Sequence, residues 1–282
     1  MKLLTWNIQW GRGIDRRVDL ARIAAEIHAM GCFDVICLQE VAANFPGLPG
    51  SSGEDQVMRL ARDFPGYTPI FAAATDVPDA CGDRKMFGNA ILTRLPVGQV
   101  YRHLLPWPND PEAPSMQRVL LEVVLDSDVG PLRVLTTHLE YYSARQRRAQ
   151  IDAIRDLHVQ ACGHASRPRQ GKGEAGGTFE VFPRPAPAIL CGDMNFSAEA
   201  PERMQVLAAF ADAPSFRDAW DVAHPGQAHA PTVGIHPVSF VDRPSCFDFI
   251  FLTEDLAPRL RLIGIDSETA ASDHQPVWVE LT

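Results

Sequence analysis

The chain has 282 residues, 46% hydrophobic and 22% charged, the make-up of an ordinary soluble globular protein long enough to bury a large core. Its formal net charge of −9 argues against a surface built to grip duplex DNA through many phosphates, although a bound divalent cation would relieve that repulsion locally. No apolar run approaches the roughly 18 residues that span a bilayer.

The first apolar stretch begins almost at Met1 and reads as a strand, Lys2–Gln9, without the basic leader and long apolar core of a signal peptide. Leu20, Ile23, Ala24 and Ile27 recur at helical spacing, with Gly31 as the stop. Val35–Gln39 is a short buried strand, and residues 44–56, rich in glycine and proline, read as a surface loop. Further strands are expected at Thr68–Ala73, Ala90–Thr93, Val97–Leu104, Val119–Leu125 and Leu132–Thr137. Ser143 and Gln146 form a capping-box pattern that opens a helix carrying Ile151, Ile154, Leu157 and Ala161 on one face. Residues 163–187 read as an exposed insertion. The pattern resumes with a strand at Ala188–Cys191, a helix around Pro201–Ala211, and strands near Phe247–Leu252, Leu260–Ile265 and Val277–Leu281. Alternating strands and helices without a repeat indicate one α/β or α+β domain over 1–282. The six cysteines lack C-x-x-C spacing, so buried free thiols in a reducing cytosol are expected rather than a zinc site.

The informative pattern is polar residues where apolar strands end: Asn7, Gln39-Glu40, His138, Asp193-Met194-Asn195, Asp248 and Asp273-His274. Strand ends are where α/β folds present ligand sites. Taken singly each has a plainer reading. Asn7 suits a turn, Glu40 a helix N-terminus, His138 a satisfied core position, Asp193-Met194-Asn195 an Asx turn and Asp273 a cap before Pro276. Six such coincidences in one chain are far less expected than any one.

Together the stretches TWNIQ (5–9), LQE (38–40), GNAILTR (88–94), THLE (137–140), GDMN (192–195), FDFIF (247–251) and SDHQPV (272–277) resemble the endonuclease/exonuclease/phosphatase superfamily, whose fold is that of DNase I. The resemblance covers almost the whole chain in the family's order. It implies a sandwich of two mixed β-sheets flanked by helices, with the motifs converging at one end. It also implies Glu40 as the principal metal carboxylate, with Asn7 and Asp273 beside it. The all-oxygen set favours Mg²⁺ first and Mn²⁺ second. By the same resemblance Asp193 activates water, Asn195 holds the water or a phosphate oxygen, and His274 donates to the phosphoryl group. Asp248 fixes the tautomer of His274, His138 binds a second phosphate oxygen, and Asn89 supports that pocket.

Other residues stay open. Arg118 reaches the phosphate or makes an ion pair; Arg84 and Lys85 steer an anion or sit in a solvated loop. Tyr141, Tyr142 and Arg145 follow His138 closely enough for one of them to line the cleft, whereas Arg145, Arg147 and Arg148 read as an exposed helix start. Trp220, His236 and Phe240 stack on a substrate or pack in the core. The expected activity is divalent-metal-dependent phosphoester hydrolysis by a cytoplasmic phosphodiesterase or nuclease, acting on nucleic acid or a small phosphodiester, with no protein partner expected. A phosphatase or phosphodiesterase for a phosphorylated lipid or sugar is the alternative, and a non-catalytic module on the same fold a third. The abasic-site branch carries a tyrosine where this chain has His138, which is closer to the DNase I and sphingomyelinase pattern.

Overall fold

A computed structural model describes residues 1–168, 176–238 and 240–282. The strands are β1 (Lys2–Asn7), β2 (Val35–Ala43), β3 (Thr68–Pro78), β4 (Arg84–Thr93), β5 (Val97–Leu104), β6 (Val119–Ser127), β7 (Gly130–His138), β8 (Ala188–Asp193), β9 (Phe216–Asp218), β10 (Asp248–Thr253), β11 (Leu260–Ile265) and β12 (Val277–Leu281). The helices are α1 (Leu20–Met30), α2 (Gln56–Asp63), α3 (Ala144–Ser166), α4 (Pro201–Leu207) and α5 (Ala219–Ala223).

The strands form two six-stranded mixed sheets, ordered β11-β12-β1-β2-β4-β3 and β5-β6-β7-β8-β10-β9, as in the DNase I-like sandwich. Each sheet contains one parallel pair, β1 with β2 and β7 with β8, joined by the crossover helices α1 and α3. Their other neighbours run antiparallel. Side chains alternate across a pleat, and the inward set (Leu3, Val35, Cys37, Val123, Val134, Ile189, Ile250 and Val279 among them) fills the space between the sheets. The outward set of the first sheet (Leu4, Trp6, Ile36, Leu38) packs under α1 and α2, and that of the second (Leu135, Leu190, Phe249, Phe251) under α3 and α4. This double burial explains why β1, β2, β7 and β8 read as nearly continuous apolar runs.

Several expectations change. The first strand ends at Asn7, not Gln9, because Gln9 and Trp10 take left-handed φ of 45° and 46° in a tight turn. Arg84 and Lys85 are in β4 rather than a loop, paired with Pro78 and Val77 in a hairpin longer than its apolar centre. The loop after β2 closes into α2, whose start is capped by Asp55 accepting from the Met58 N–H at 3.0 Å. The helix beginning at Pro201 ends at Leu207, short of Ala211. Half of the capping box forms: the Ser143 hydroxyl accepts from the Gln146 N–H at 3.2 Å, while the Gln146 side chain turns to the Pro108 carbonyl.

The insertion expected at 163–187 is divided. Residues 163–166 complete α3, and 169–175 lie outside the described residues. Residues 184–187 are pinned, since Arg184 is buried against Glu122 and Arg133 donates to the Pro185 and Ala186 carbonyls. Cys37, Cys162, Cys191 and Cys246 are buried free thiols, whereas Cys32 and Cys81 are exposed.

Candidate active site

Strand direction assembles the site. The parallel pairs deliver their C-terminal ends, and the antiparallel neighbours deliver their N-terminal starts, to one end of the sandwich. Asn7 stands opposite Gln39, while His138 and Asp248 both stand opposite Asp193. Asp273 and His274 precede β12, which runs antiparallel to β1, and so arrive at the same end. The Ser272 hydroxyl donates to the Asn7 carbonyl at 2.7 Å, and the Trp6 indole N–H donates to the His274 carbonyl at 2.9 Å, tying that segment to β1.

Local backbone irregularities aim two of the side chains. Opposite Asn89 of β4, β2 carries the two residues Gln39 and Glu40, a β-bulge in which Glu40 takes φ 58°. Gln39 therefore points inward, its amide donating to Thr136 at 2.8 Å, and Glu40 turns to the site. Gly192 has φ 133°, and a Cβ there would lie 2.0 Å from the Thr137 carbonyl oxygen. Only glycine lets β8 approach β7 closely enough to set Asp193 beside His138.

Asp193 is the hub. Its Oδ2 accepts from the Asn7 amide at 3.0 Å and lies 3.5 Å from His138 Nε2 and 3.6 Å from His274 Nε2. The same Asn7 amide donates to Glu40 at 3.1 Å, and His138 Nδ1 lies 3.7 Å from Glu40. Asp248 accepts from His274 Nδ1 at 2.8 Å and from the Thr232 hydroxyl at 2.6 Å. The Gln9 amide donates to Asp273. Asn195, at φ 51°, donates its side-chain amide to the Leu139 carbonyl, and its backbone N–H reaches Asp193 at 2.9 Å. The Asx turn is thus present within the site. Asn89 is buried below, its amide donating to the Val119 carbonyl at 2.9 Å.

Burial and mutual charge divide the protons. Burial alone would discharge His274, but Asp248, Asp193 and Asp273 outweigh it and hold the imidazolium well above its usual range. Burial likewise opposes ionisation of Asp193, and the charge of His274 with the hydrogen bonds from Asn7 and the Asn195 N–H overcomes it, so its carboxyl stays below the usual value. His138 is pushed down to about 3 by burial and by the Arg118 charge, leaving a neutral ring. Burial raises Asp248 to about 6. Glu40 is raised to about 7, first by burial and then by the charge of Asp273. Glu40, Asp273 and Asn7 offer hard oxygen donors at this end of the sandwich, a donor set that suits a divalent cation. The carboxylates of Asp193 and Asp248 and the imidazole of His274 lie within 4.8 Å of one another, bound internally by the Asp248–His274 hydrogen bond.

Arg118 makes a buried ion pair with Glu140 at 3.3 Å and still lines the cavity beside Glu40 and His138. Of the three distant aromatics only Phe240 reaches the site, its ring stacked 6.3 Å from that of His274. Trp220 packs against His224, and His236 bonds the Thr269 carbonyl. Tyr141 is edge-on to Phe240 and donates to its carbonyl at 2.6 Å. Arg145 and Arg148 lie on the exposed start of α3, but Arg147 is largely buried, donating to the Glu140 and Tyr141 carbonyls beside Glu202. Sequence reading missed Thr232, fully buried, whose hydroxyl also accepts from the N–H groups of Phe247 and Asp248. A lone threonine in a long irregular segment carries no periodic signal. Gln9 lay within a recognised motif without an assigned role.

No curated protein matches the sequence. Among solved structures, an endonuclease/exonuclease/phosphatase protein from Beutenbergia cavernae is 25% identical, with 99% of this chain and 70% of that one covered at a TM-score of 0.66. A mannosyl-6-phosphatase from Bacteroides thetaiotaomicron is 18% identical, covering 100% and 99% at 0.67. D. rerio TDP2 complexed with a single-strand DNA product is 18% identical, covering 99% and 97% at 0.63. The profile of the Endonuclease/Exonuclease/phosphatase family matches residues 4–274, and the chain belongs to that family.

Proposed function

We propose that this protein is a Mg²⁺-dependent phosphoester hydrolase with a preference for diesters, Mn²⁺ serving as the alternative ion. The observation that carries this reading is the convergence of Asn7, Glu40, His138, Asp193, Asp248, Asp273 and His274 at one end of the sandwich. A site retaining every one of these groups supports catalysis over a non-catalytic module. Glu40, Asp273 and Asn7 would hold the ion, which when bound supplies positive charge against the phosphoryl and leaving oxygens.

The protein's own groups supply the rest. Ionised Asp193 accepts a proton from the attacking water, which Asn195 helps to hold. Protonated His274 donates its Nε2–H to a phosphoryl oxygen as charge builds there. Asp248 accepts from Nδ1 and keeps the ring oriented, and Thr232 in turn holds Asp248. Neutral His138 has one ring N–H to offer a second phosphoryl oxygen.

Both a phosphatase and a DNA-bound protein share the fold at 18% identity, so the substrate must come from assay. The test compares bis-p-nitrophenyl phosphate, p-nitrophenyl phosphate, single- and double-stranded DNA, RNA and phospholipids, with Mg²⁺ and with EDTA. Diester hydrolysis abolished by EDTA and restored by Mg²⁺ or Mn²⁺ is expected. Activity on the monoester alone would overturn the diester preference, and no hydrolysis of any substrate would overturn the reaction. No helix of the described residues is long and apolar enough to cross a membrane.

A further inference from the structure

A cavity of about 300 Å³ opens beside the catalytic cluster. Glu40, His138 and Arg118 lie on its catalytic side, and its remaining walls are mainly Trp10, Phe45, Leu48, Phe87 and Met116. These apolar groups come from four separate segments: the turn after β1, the loop after β2, β4, and the chain leading into β6. We propose, building on the hydrolase reading above, that this cavity is the subsite for one organic arm of the phosphoester, and that it takes an apolar arm such as an aryl ring.

Three features carry the assignment. The walls are already set. The Trp10 indole donates to the Pro49 carbonyl at 3.1 Å, and Gln56 at the start of α2 donates to the Trp10 carbonyl at 2.8 Å. The Phe87 ring stands 6.4 Å from the indole at 57°, and the Lys85 ammonium lies 5.2 Å over the outer ring, Phe45. Trp10 keeps a left-handed φ of 46° in this arrangement, a strained conformation of the kind that collects at ligand sites.

Few polar groups face the cavity. The Trp10 N–H is bound to Pro49 and the Arg118 Nε–H is paired with Glu140, so outside the catalytic cluster the walls offer the terminal nitrogens of Arg118 and the Thr75 hydroxyl. A nucleobase brings several donors and acceptors on its edges, and burying them unpaired is costly. An aryl or alkyl group brings none. Size points the same way, since ligand clefts run from about 300 to 1,000 Å³ and this one has room for one ring or a short chain. The opening onto Glu40 and His138 sets the phosphorus of such an ester at the catalytic groups while the arm leaves water.

The test measures binding separately from turnover. Phenylphosphonate, methylphosphonate and inorganic phosphate are titrated calorimetrically into the full chain with Mg²⁺ present. The phenyl compound should bind at least about tenfold more tightly than the methyl one, the scale of discrimination a hydrophobic pocket gives. Leu48→Trp, which fills the cavity from its half-exposed rim, should abolish that difference and leave phosphate affinity unchanged. Phe45→Ala, which opens the same wall, should weaken phenylphosphonate alone and serves if the first variant does not fold. Equal affinities for the two phosphonates in the wild type, a preference that survives in the filled variant, or no binding of any of the three would overturn the subsite. Hydrolysis of bis-p-nitrophenyl phosphate is scored independently. A phenyl preference without hydrolysis retains the subsite and removes the reaction; hydrolysis without the preference does the reverse.

Discussion

At the scale of single residues, Asp193 joins three parts of the site: Asn7 at 3.0 Å and the two imidazoles at 3.5 and 3.6 Å. Its ionised state depends on the His274 imidazolium, and the charge on His274 depends on Asp248 and Asp193. Each therefore holds the other in the protonation state that the proposed chemistry requires. Asp193→Asn removes the proton acceptor while keeping the shape, and His274→Ala removes the donor. Both should lower kcat by about 10²-fold or more. Steady-state kinetics on bis-p-nitrophenyl phosphate check this, and near-wild-type turnover in either variant would remove the assignment. Arg118 shows how two readings of one residue can both hold. It forms a structural ion pair, and it also borders the cavity.

At the scale of elements, the site depends on two departures from regular strand geometry. The bulge in β2 turns Glu40 out of the alternation that buries Gln39, and Gly192 lets β8 pass close to β7. Adding a methyl at Gly192 sets a Cβ 2.0 Å from a backbone oxygen at a φ of 133°, so a strand must move. Gly192→Ala should cost at least about 2 kcal/mol from backbone strain, read as a lower urea midpoint. Because Asp193 is displaced, kcat should fall as well. An alanine variant as stable and as active as wild type would show that the strands do not need this approach. The long, doubly buried strands were legible because their periodicity follows from burial on both faces. The elements that escaped notice, α2, β9 and α5, bury few side chains each. Their sequences record mostly the caps, such as Asp55 and Asp218.

At the scale of the whole molecule, a second buried ionic network lies within the other half of the fold. Glu122 accepts from Arg184 at 2.8 and 2.6 Å and lies 3.1 Å from His103, with the fully buried Arg133 guanidinium 3.5 Å away. Arg133 in turn donates to His158 at 2.8 Å, binding β6, β7, α3 and residues 184–187 into one unit. Burial and the Arg133 charge depress His158 from 6.5 to about 4. The unfolded chain therefore takes up this proton first, and stability is lost as pH falls from 6.5 toward 4. Burial opposes the charge on Glu122, but its hydrogen bonds and Arg133 bring it to about 2. Its contribution is present above 4.5 and disappears as pH falls through 2. Glu40 and Asp248, raised to about 7 and about 6, act in the opposite direction over this window, so the His158 contribution is read as the difference in urea-unfolding free energy between wild type and His158→Gln. The variant should lose less stability than wild type between pH 6.5 and 4, and parallel curves would contradict the account.

What the sequence by itself determined was the order of its strands and of the polar motifs that close them, and with that order the family to which it belongs. Strand periodicity, the short polar motifs closing those strands and their order along the chain are local properties, written in consecutive residues. They were enough to name Asn7, Glu40, His138, Asp193, Asn195, Asp248, Asp273 and His274 together, and through their resemblance to one superfamily they implied a two-sheet sandwich that periodicity alone did not give. Tertiary structure decided what consecutive residues cannot encode. It showed that Asn7 bridges Glu40 to Asp193, that Thr232 supports Asp248, and that Phe240 rather than Trp220 or His236 reaches the site. It also formed the cavity beside Glu40 from Trp10, Phe45, Leu48, Phe87 and Met116. The physical reason is that a cavity and a shifted pKa depend on which atoms crowd one point in space. Residues distant along the chain meet at that point only after the two sheets have packed.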